Sequence, residues 1–156
     1  MLKVERALEI DATPEQVWSV MGRFMHINEF APEVVRVEAL TAAENQVGAQ
    51  RRCHFNNGQS LVETVTEWQV GRGYSVSLSE MDSMPMAAAN ATLLIDPMGN
   101  RARVVWRFEG RMKFGPLGWL LGQGVFKPMM GRVIAANLEG LAKTVKNLPK
   151  SVDEVA

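Results

Sequence analysis

The chain has 156 residues, 47% of them apolar and 22% charged, an ordinary globular balance that supports one domain whose core needs no disulfide or metal. Seventeen basic residues offset seventeen acidic ones, which argues against nucleic acid or an anionic membrane as partner, since both need a concentrated basic face. The single Cys53 cannot close an internal disulfide, which fits a cytoplasmic protein, and no apolar run is long enough to span a bilayer.

At the start, Leu2, Val4, Leu8 and Ile10 alternate with Lys3, Glu5, Ala7 and Glu9, the pattern of a half-buried strand over 2–10. Charges inside this run distinguish it from a signal peptide. Arg6 falls on the inner face. Thr13 then offers an N-cap, Pro14 suits a first helical position, and Gln16 lies in the capping region. Val17, Trp18 and Met21 share a helical face that Gly22 ends, and "RFMHINEFAP" reads as a second short helical piece.

Strand signals follow closely. Val34–Leu40 is one; Val47–Phe55 and Ser60–Gln69 flank "NNG", a strong hairpin turn. Tyr74, Val76 and Leu78 alternate with serines, and 87–96 and 101–112 flank "DPMGN". In the last strand Ala102, Val104, Trp106 and Phe108 point one way, with Arg101, Arg103, Arg107 and Glu109 opposite. One-sided alternation throughout implies antiparallel strands with one wet face. Glycines 118, 122, 124 and 131 with Pro128 predict a broken or kinked helix, firming into one helix over 128–148. Its stripe is Met130, Val133, Ile134, Asn137, Leu138, Leu141, Val145 and Leu148. That helix must cover the apolar face of the sheet, because nothing else in the chain can. Residues 1–148 thus read as one domain and 149–156 as a polar tail.

Several stretches carry a resemblance: "ATPEQVWSVMGRF", "FAP" at 30–32, "VGAQRRCHFNNG" at 47–58, "LVETV" at 61–65, Tyr74, "MP" at 84–85 and "VVWRFEG" at 104–110. In this order the chain resembles the START-like or Bet v 1-like (SRPBCC) superfamily, and within it bacterial polyketide cyclase/dehydrase-like proteins. Phe30 departs from the Trp that relatives often carry before the x-Pro. The resemblance implies an α+β helix-grip fold, with a curved seven-stranded antiparallel sheet around a long C-terminal helix. Two short helices would follow the first strand, and an apolar cavity would lie between sheet and helix. It implies less about function, because the superfamily spans carriers of lipids and hydrophobic metabolites, cyclases, hydrolases and partner-binding domains.

Two histidines and one cysteine lack metal-ligand spacing, and no phosphate loop, dinucleotide fingerprint or nucleophile elbow is present, so neither metal nor cofactor is expected. Cys53 reads as a small buried apolar residue. The candidate ligand-binding set is polar groups in inward positions together with apolar wall. Arg6, Asn90 and Asn137 sit among inward apolar positions, and Arg51 and Glu63 lie on the two arms of the NNG hairpin. A three-residue loop places Arg51 opposite Glu63, and a two-residue loop places Arg52 there instead. The simplest role of such a pair is structural, because buried polar groups must be partnered. His26, Trp68, Tyr74, Met86, Trp106 and Phe108 complete the set, with Glu63, His26 and Tyr74 as the weak catalytic candidates.

The leading expectation is binding or carriage of a small hydrophobic or amphipathic molecule. The alternatives are a cyclase or dehydratase acting on a polyketide-like or aromatic substrate, and a partner-binding domain with an incidental cavity. Trp119, Leu120, Leu121 and Phe126 are unusually apolar for a glycine-rich segment; they would gate the pocket or join two subunits in a homodimer.

Overall fold

A computed structural model describes residues 1–81 and 84–148, so the predicted polar tail, 149–156, lies outside the described residues. Strand β1 (Leu2–Ile10) leads into helix α1 (Pro14–Met21) and a 3-10 helix (Phe24–Glu29). Strands β2 (Val34–Ala39), β3 (Gln50–Phe55), β4 (Ser60–Gln69), β5 (Gly73–Ser79), β6 (Met86–Met98) and β7 (Arg101–Met112) follow. Helix α2 (Gly115–Leu121), a π-helical turn (Gly122–Phe126) and helix α3 (Lys127–Lys146) close the chain. All seven strands form one antiparallel sheet in the order β1-β7-β6-β5-β4-β3-β2. This is the expected helix-grip α+β architecture.

Local chemistry explains the abrupt exit from β1. The Thr13 hydroxyl accepts from the Gln16 amide at 3.2 Å, and the Gln16 side chain accepts from the Thr13 amide at 2.9 Å. This capping box satisfies orphan donors at the start of α1, with Pro14 just inside it. Two strand boundaries differ from the sequence reading. β3 begins at Gln50 rather than Val47, because Gly48 takes a left-handed φ of +91° and turns the chain there. β6 runs on through Asp96 and Pro97 to Met98, and the turn tightens around Gly99 at φ +63°.

The closing helix buries Ile134, Asn137, Leu138, Leu141 and Val145, while Met130, Val133 and Leu148 are only half-buried. It packs along β1 and against α1, covering the sheet's concave face. Gly140 makes the close approach possible, since a Cβ there would lie 2.0 Å from the Phe30 carbonyl oxygen. Thr144 Oγ1 donates to the Glu29 carbonyl at 3.2 Å, fastening the 3-10 helix to the same face. One apolar cluster runs from β1 through α1 and the sheet to α3. Among the described residues no helix is long and apolar enough to cross a membrane.

Candidate functional site

The polar centre of the fold lies on the β3–β4 hairpin. Gly58, at φ +86°, and a bond from Phe55 N–H to the Gln59 carbonyl at 2.9 Å close a three-residue loop, Asn56 to Gly58. Arg51 therefore stands opposite Glu63, and Arg52 opposite Val62. Arg52 turns to the other side and pairs with Glu80 at 2.9 Å. Arg51 is 1% exposed. Its Nε and Nη2 each lie 2.9 Å from Glu63 Oε1, its Nη1 donates to the Phe24 carbonyl, and its Cζ sits 3.9 Å from the centre of the Phe24 ring.

The Cys53 thiol also donates to Glu63 Oε1, at 3.2 Å, so the cysteine is a polar partner rather than only an apolar filler. All these bonds fall on Oε1; among the described residues none falls on Oε2. Burial is the largest single influence and works against the Arg51 charge, but Glu63, with smaller help from Tyr74 and Cys53, outweighs it and holds the guanidinium more firmly protonated than usual. Burial, reinforced by the Glu63 charge, pushes the Cys53 thiol well above its ordinary range, which makes it a poor nucleophile.

An aromatic layer sits against this polar cluster. A bulge between Val65 and Glu67 shifts the alternation of β4 and brings Trp68 to the face of Tyr74. Trp68 stacks on Tyr74 with centroids 5.3 Å apart, and the Phe24 ring meets Tyr74 edge-on at 5.6 Å. Trp18 of α1 closes the stack edge-on to Trp68 at 5.2 Å. Tyr74 is 2% exposed, and its hydroxyl has no hydrogen-bond partner. Arg51 lies close to that hydroxyl, but a guanidinium carries donors only, so it offers the phenol's O–H no acceptor. Desolvation outweighs the pull of Arg51 and raises the Tyr74 pKa, so the phenol stays protonated and able to donate. Phe24 also borders a concavity of about 190 Å³ lined by Arg23, Met25, His26, Glu44 and Asn45.

The remaining predicted residues divide. Trp106, Phe108 and Met86 are buried; Trp106 sits between Arg6 and Leu93 in register, Phe108 lies 6.2 Å from Phe126, and the Met86 methyl covers Gly110. Asn137 is buried within the inward stripe of α3. Asn90 is a correction: a bulge between Met86 and Ala88 shifts the parity of β6, so Ala89, Ala91 and Leu93 turn inward and Asn90 is exposed opposite Ser77. His26 is a second correction, for it sits half-exposed on the rim, 3.4 Å from Glu29. Arg6 keeps its inward parity, yet it lies on an edge strand and runs out past Gly131 of α3 to solvent. Phe24 was missed. Its only sequence signal is an aromatic in a short apolar piece, and nothing there says that its carbonyl will receive a buried guanidinium.

Among the described residues no group of three or more His, Cys, Asp or Glu is placed to hold a metal ion. Similar folds are found among solved structures. Protein XoxI from Bacillus cereus superposes with a TM-score of 0.78 at 17% identity, covering 94% of this chain and 97% of that one. A Thermobifida fusca protein gives 0.75 at 24% identity, covering 93% of each chain. Norcoclaurine synthase from Thalictrum flavum, solved with dopamine and hydroxybenzaldehyde, gives 0.72 at 18% identity, covering 95% of this chain and 88% of that one. At these identities the likeness establishes the fold, which is the Bet v 1-like one. No curated protein matches the sequence. The family model for polyketide cyclase/dehydrase and lipid transport matches residues 1–146, so the chain belongs to that family.

Proposed function

We propose that the protein binds a small hydrophobic or amphipathic molecule between the sheet and α3, with the molecule's polar group at Arg51, Glu63 and Tyr74. The observation that carries this reading is the Tyr74 hydroxyl. A donor left unpartnered inside an aromatic layer costs stability, and a ligand carbonyl or hydroxyl would satisfy it. Glu63 Oε2 offers an acceptor in the same cluster, and Trp68, Trp106 and Phe108 offer apolar wall. Phe24, whose ring covers the Arg51 guanidinium, would have to move to open that charge to a ligand. The family's description, which includes lipid transport, agrees with this chemistry.

Calorimetric titration with 2-acetylnaphthalene and with naphthalene tests the reading. Both should bind, and Tyr74→Phe should weaken only the ketone, about fivefold for one lost hydrogen bond of about 1 kcal/mol. Tyr74→Phe should not destabilise the fold, since it removes an unsatisfied group. Equal affinity of the two proteins for the ketone removes Tyr74 from the site. Failure of either compound to bind, together with no co-purifying molecule in native mass spectrometry of protein from its own host, overturns the binding reading. Turnover of a polyketide-like or aromatic substrate in the same cluster is the second reading, favoured by a carboxylate oxygen without described donors near a protonated phenol. Conversion of such a substrate by the wild type, lost in Glu63→Gln, would establish it.

A further inference from the structure

The segment from Phe114 to Met129 is built inside out. Helix α2 buries Gly118, and the π-helical turn buries Gly122, one helical turn later on the same face. These glycines press on the end of β7. A Cβ at Gly118 would lie 1.6 Å from the Lys113 carbonyl oxygen, and one at Gly122 would lie 2.8 Å from Met112 Cγ. With the glycine face turned in, Phe126 is the one large side chain of the segment that follows it into the core, and the others point out. Phe114 is 73% exposed, Leu120 62% and Trp119 53%, and Leu117, Leu121 and Val125 are exposed beside them. An ordinary amphipathic helix would do the reverse.

The charge along this stretch of sequence is equally one-sided. Between Glu109 and Glu139 the chain carries Arg111, Lys113, Lys127 and Arg132 and no acidic residue, although the whole chain has no net charge. Arg111 and Lys113 line the same concavity, of about 480 Å³, as Phe114 and Trp119, with Met1 and Leu2 on its apolar side. Two cations therefore share a concavity with exposed apolar side chains, a local feature that zero net charge does not reveal.

We propose that this surface docks on an anionic lipid bilayer, with Trp119, Leu120, Leu121 and Phe114 entering the headgroup region and the four cations meeting lipid phosphates. Aromatic and leucine side chains ringed by Lys and Arg are what a membrane interface retains. The other occupant of an apolar face, a second copy of the chain, would bring this basic surface against itself in a two-fold dimer, and like charges oppose that contact. The proposal stands apart from the ligand site, because none of these residues belongs to the Arg51 cluster.

Flotation with vesicles of phosphatidylcholine alone, and with one third phosphatidylglycerol, tests it. The expected result is binding to the anionic vesicles that falls at least tenfold without the anionic lipid or in half-molar salt. Leu120→Glu/Leu121→Glu should abolish binding and Lys127→Glu/Arg132→Glu should weaken it at least tenfold, with thermal midpoints close to wild type because all four side chains are exposed. No binding to anionic vesicles overturns the proposal. So does equal binding by the wild type and both variants, or a wild-type dimer in light scattering that Leu120→Glu/Leu121→Glu dissociates while vesicles are ignored.

Discussion

The β3–β4–β5 side of the sheet and the segment from Phe114 to Met129 break the inside–outside rule in opposite senses. The first puts a guanidinium, a carboxylate, a thiol and a phenol into the core. The second puts a tryptophan, a phenylalanine and three leucines into water. Each is held by something that offers no alternative. In the sheet, register places Arg51 opposite Glu63 and the Phe24 carbonyl accepts from its Nη1. In the helix, glycines occupy the only face that can touch β7. The difference lies in satisfaction. The polar centre is internally partnered except at the Tyr74 hydroxyl and Glu63 Oε2, whereas of the large apolar side chains between Phe114 and Met129 only Phe126 reaches the core. A group left over in the core asks for a small ligand, and a face left over at the surface asks for a large one.

The largest expected effect breaks the polar side of this comparison. Arg51→Met strands the Glu63 carboxylate, which is 13% exposed, and leaves the Phe24 carbonyl without its donor. Breaking a fully buried pair costs about 3–5 kcal/mol, and the residual solvent contact of Glu63 sets the expectation near the low end, about 3 kcal/mol. Arg51→Met/Glu63→Leu should recover most of that loss. Arg52→Met, which removes a surface pair with Glu80, should cost under about 0.5 kcal/mol. Urea unfolding of the four proteins checks all of this. A loss for Arg51→Met no larger than for Arg52→Met would show that the pair does not organise the core.

The second expectation concerns alkaline pH. Cys53 and Tyr74 are the only cysteine and tyrosine in the chain, and both are held above their ordinary values of 9.0 and 10.0. As pH rises past about 9 the unfolded chain therefore releases protons that the folded chain still keeps. Their contribution to stability is complete below pH 9 and falls as pH rises, by up to about 1.4 kcal/mol per pH unit for each group. Cys53→Ala/Tyr74→Phe should flatten the decline, measured as the urea midpoint from pH 7 to 11. At pH 8 the native thiol should resist alkylation and become reactive only on unfolding.

How much of this was legible depends on what sets each feature. Alternation in β1 and β7, the Thr13–Gln16 cap and the stripe of α3 are local patterns, and the structure follows them nearly residue for residue. The pairing of Arg51 with Glu63 was legible as one of two registers, and the loop length decided between them. Bulges were not legible, since one extra residue leaves no mark on composition. The bulge in β4 brings Trp68 to Tyr74, and the bulge in β6 sends Asn90 outward. Long-range placement was invisible as well: Phe24 meets Arg51 across 27 positions of sequence, from a 3-10 helix that Thr144 of α3 holds at Glu29. In sequence alone the glycines of α2 read as a kink. Their burial, and hence the exposure of the leucines, depends on which face meets β7.

That reversal supplies the smallest and sharpest expectation. In an ordinary helix, Gly→Ala stabilises by about 1 kcal/mol and truncating a leucine destabilises. Here both signs should invert or vanish. Gly118→Ala gains helix propensity, but its methyl would meet a backbone carbonyl oxygen at 1.6 Å, and the helix must lift from β7 to admit it. Overpacking of this kind costs about 1–3 kcal/mol, so the net should be a loss of about 1 kcal/mol, with faster amide exchange across 115–126. Leu120→Ser, at a side chain 62% exposed, should change stability by less than about 0.5 kcal/mol. Chemical denaturation with hydrogen exchange on the two variants compares the faces directly. Were Leu120→Ser the more damaging of the two, the leucine face would be the packed one, and the inside-out reading of α2 would be wrong.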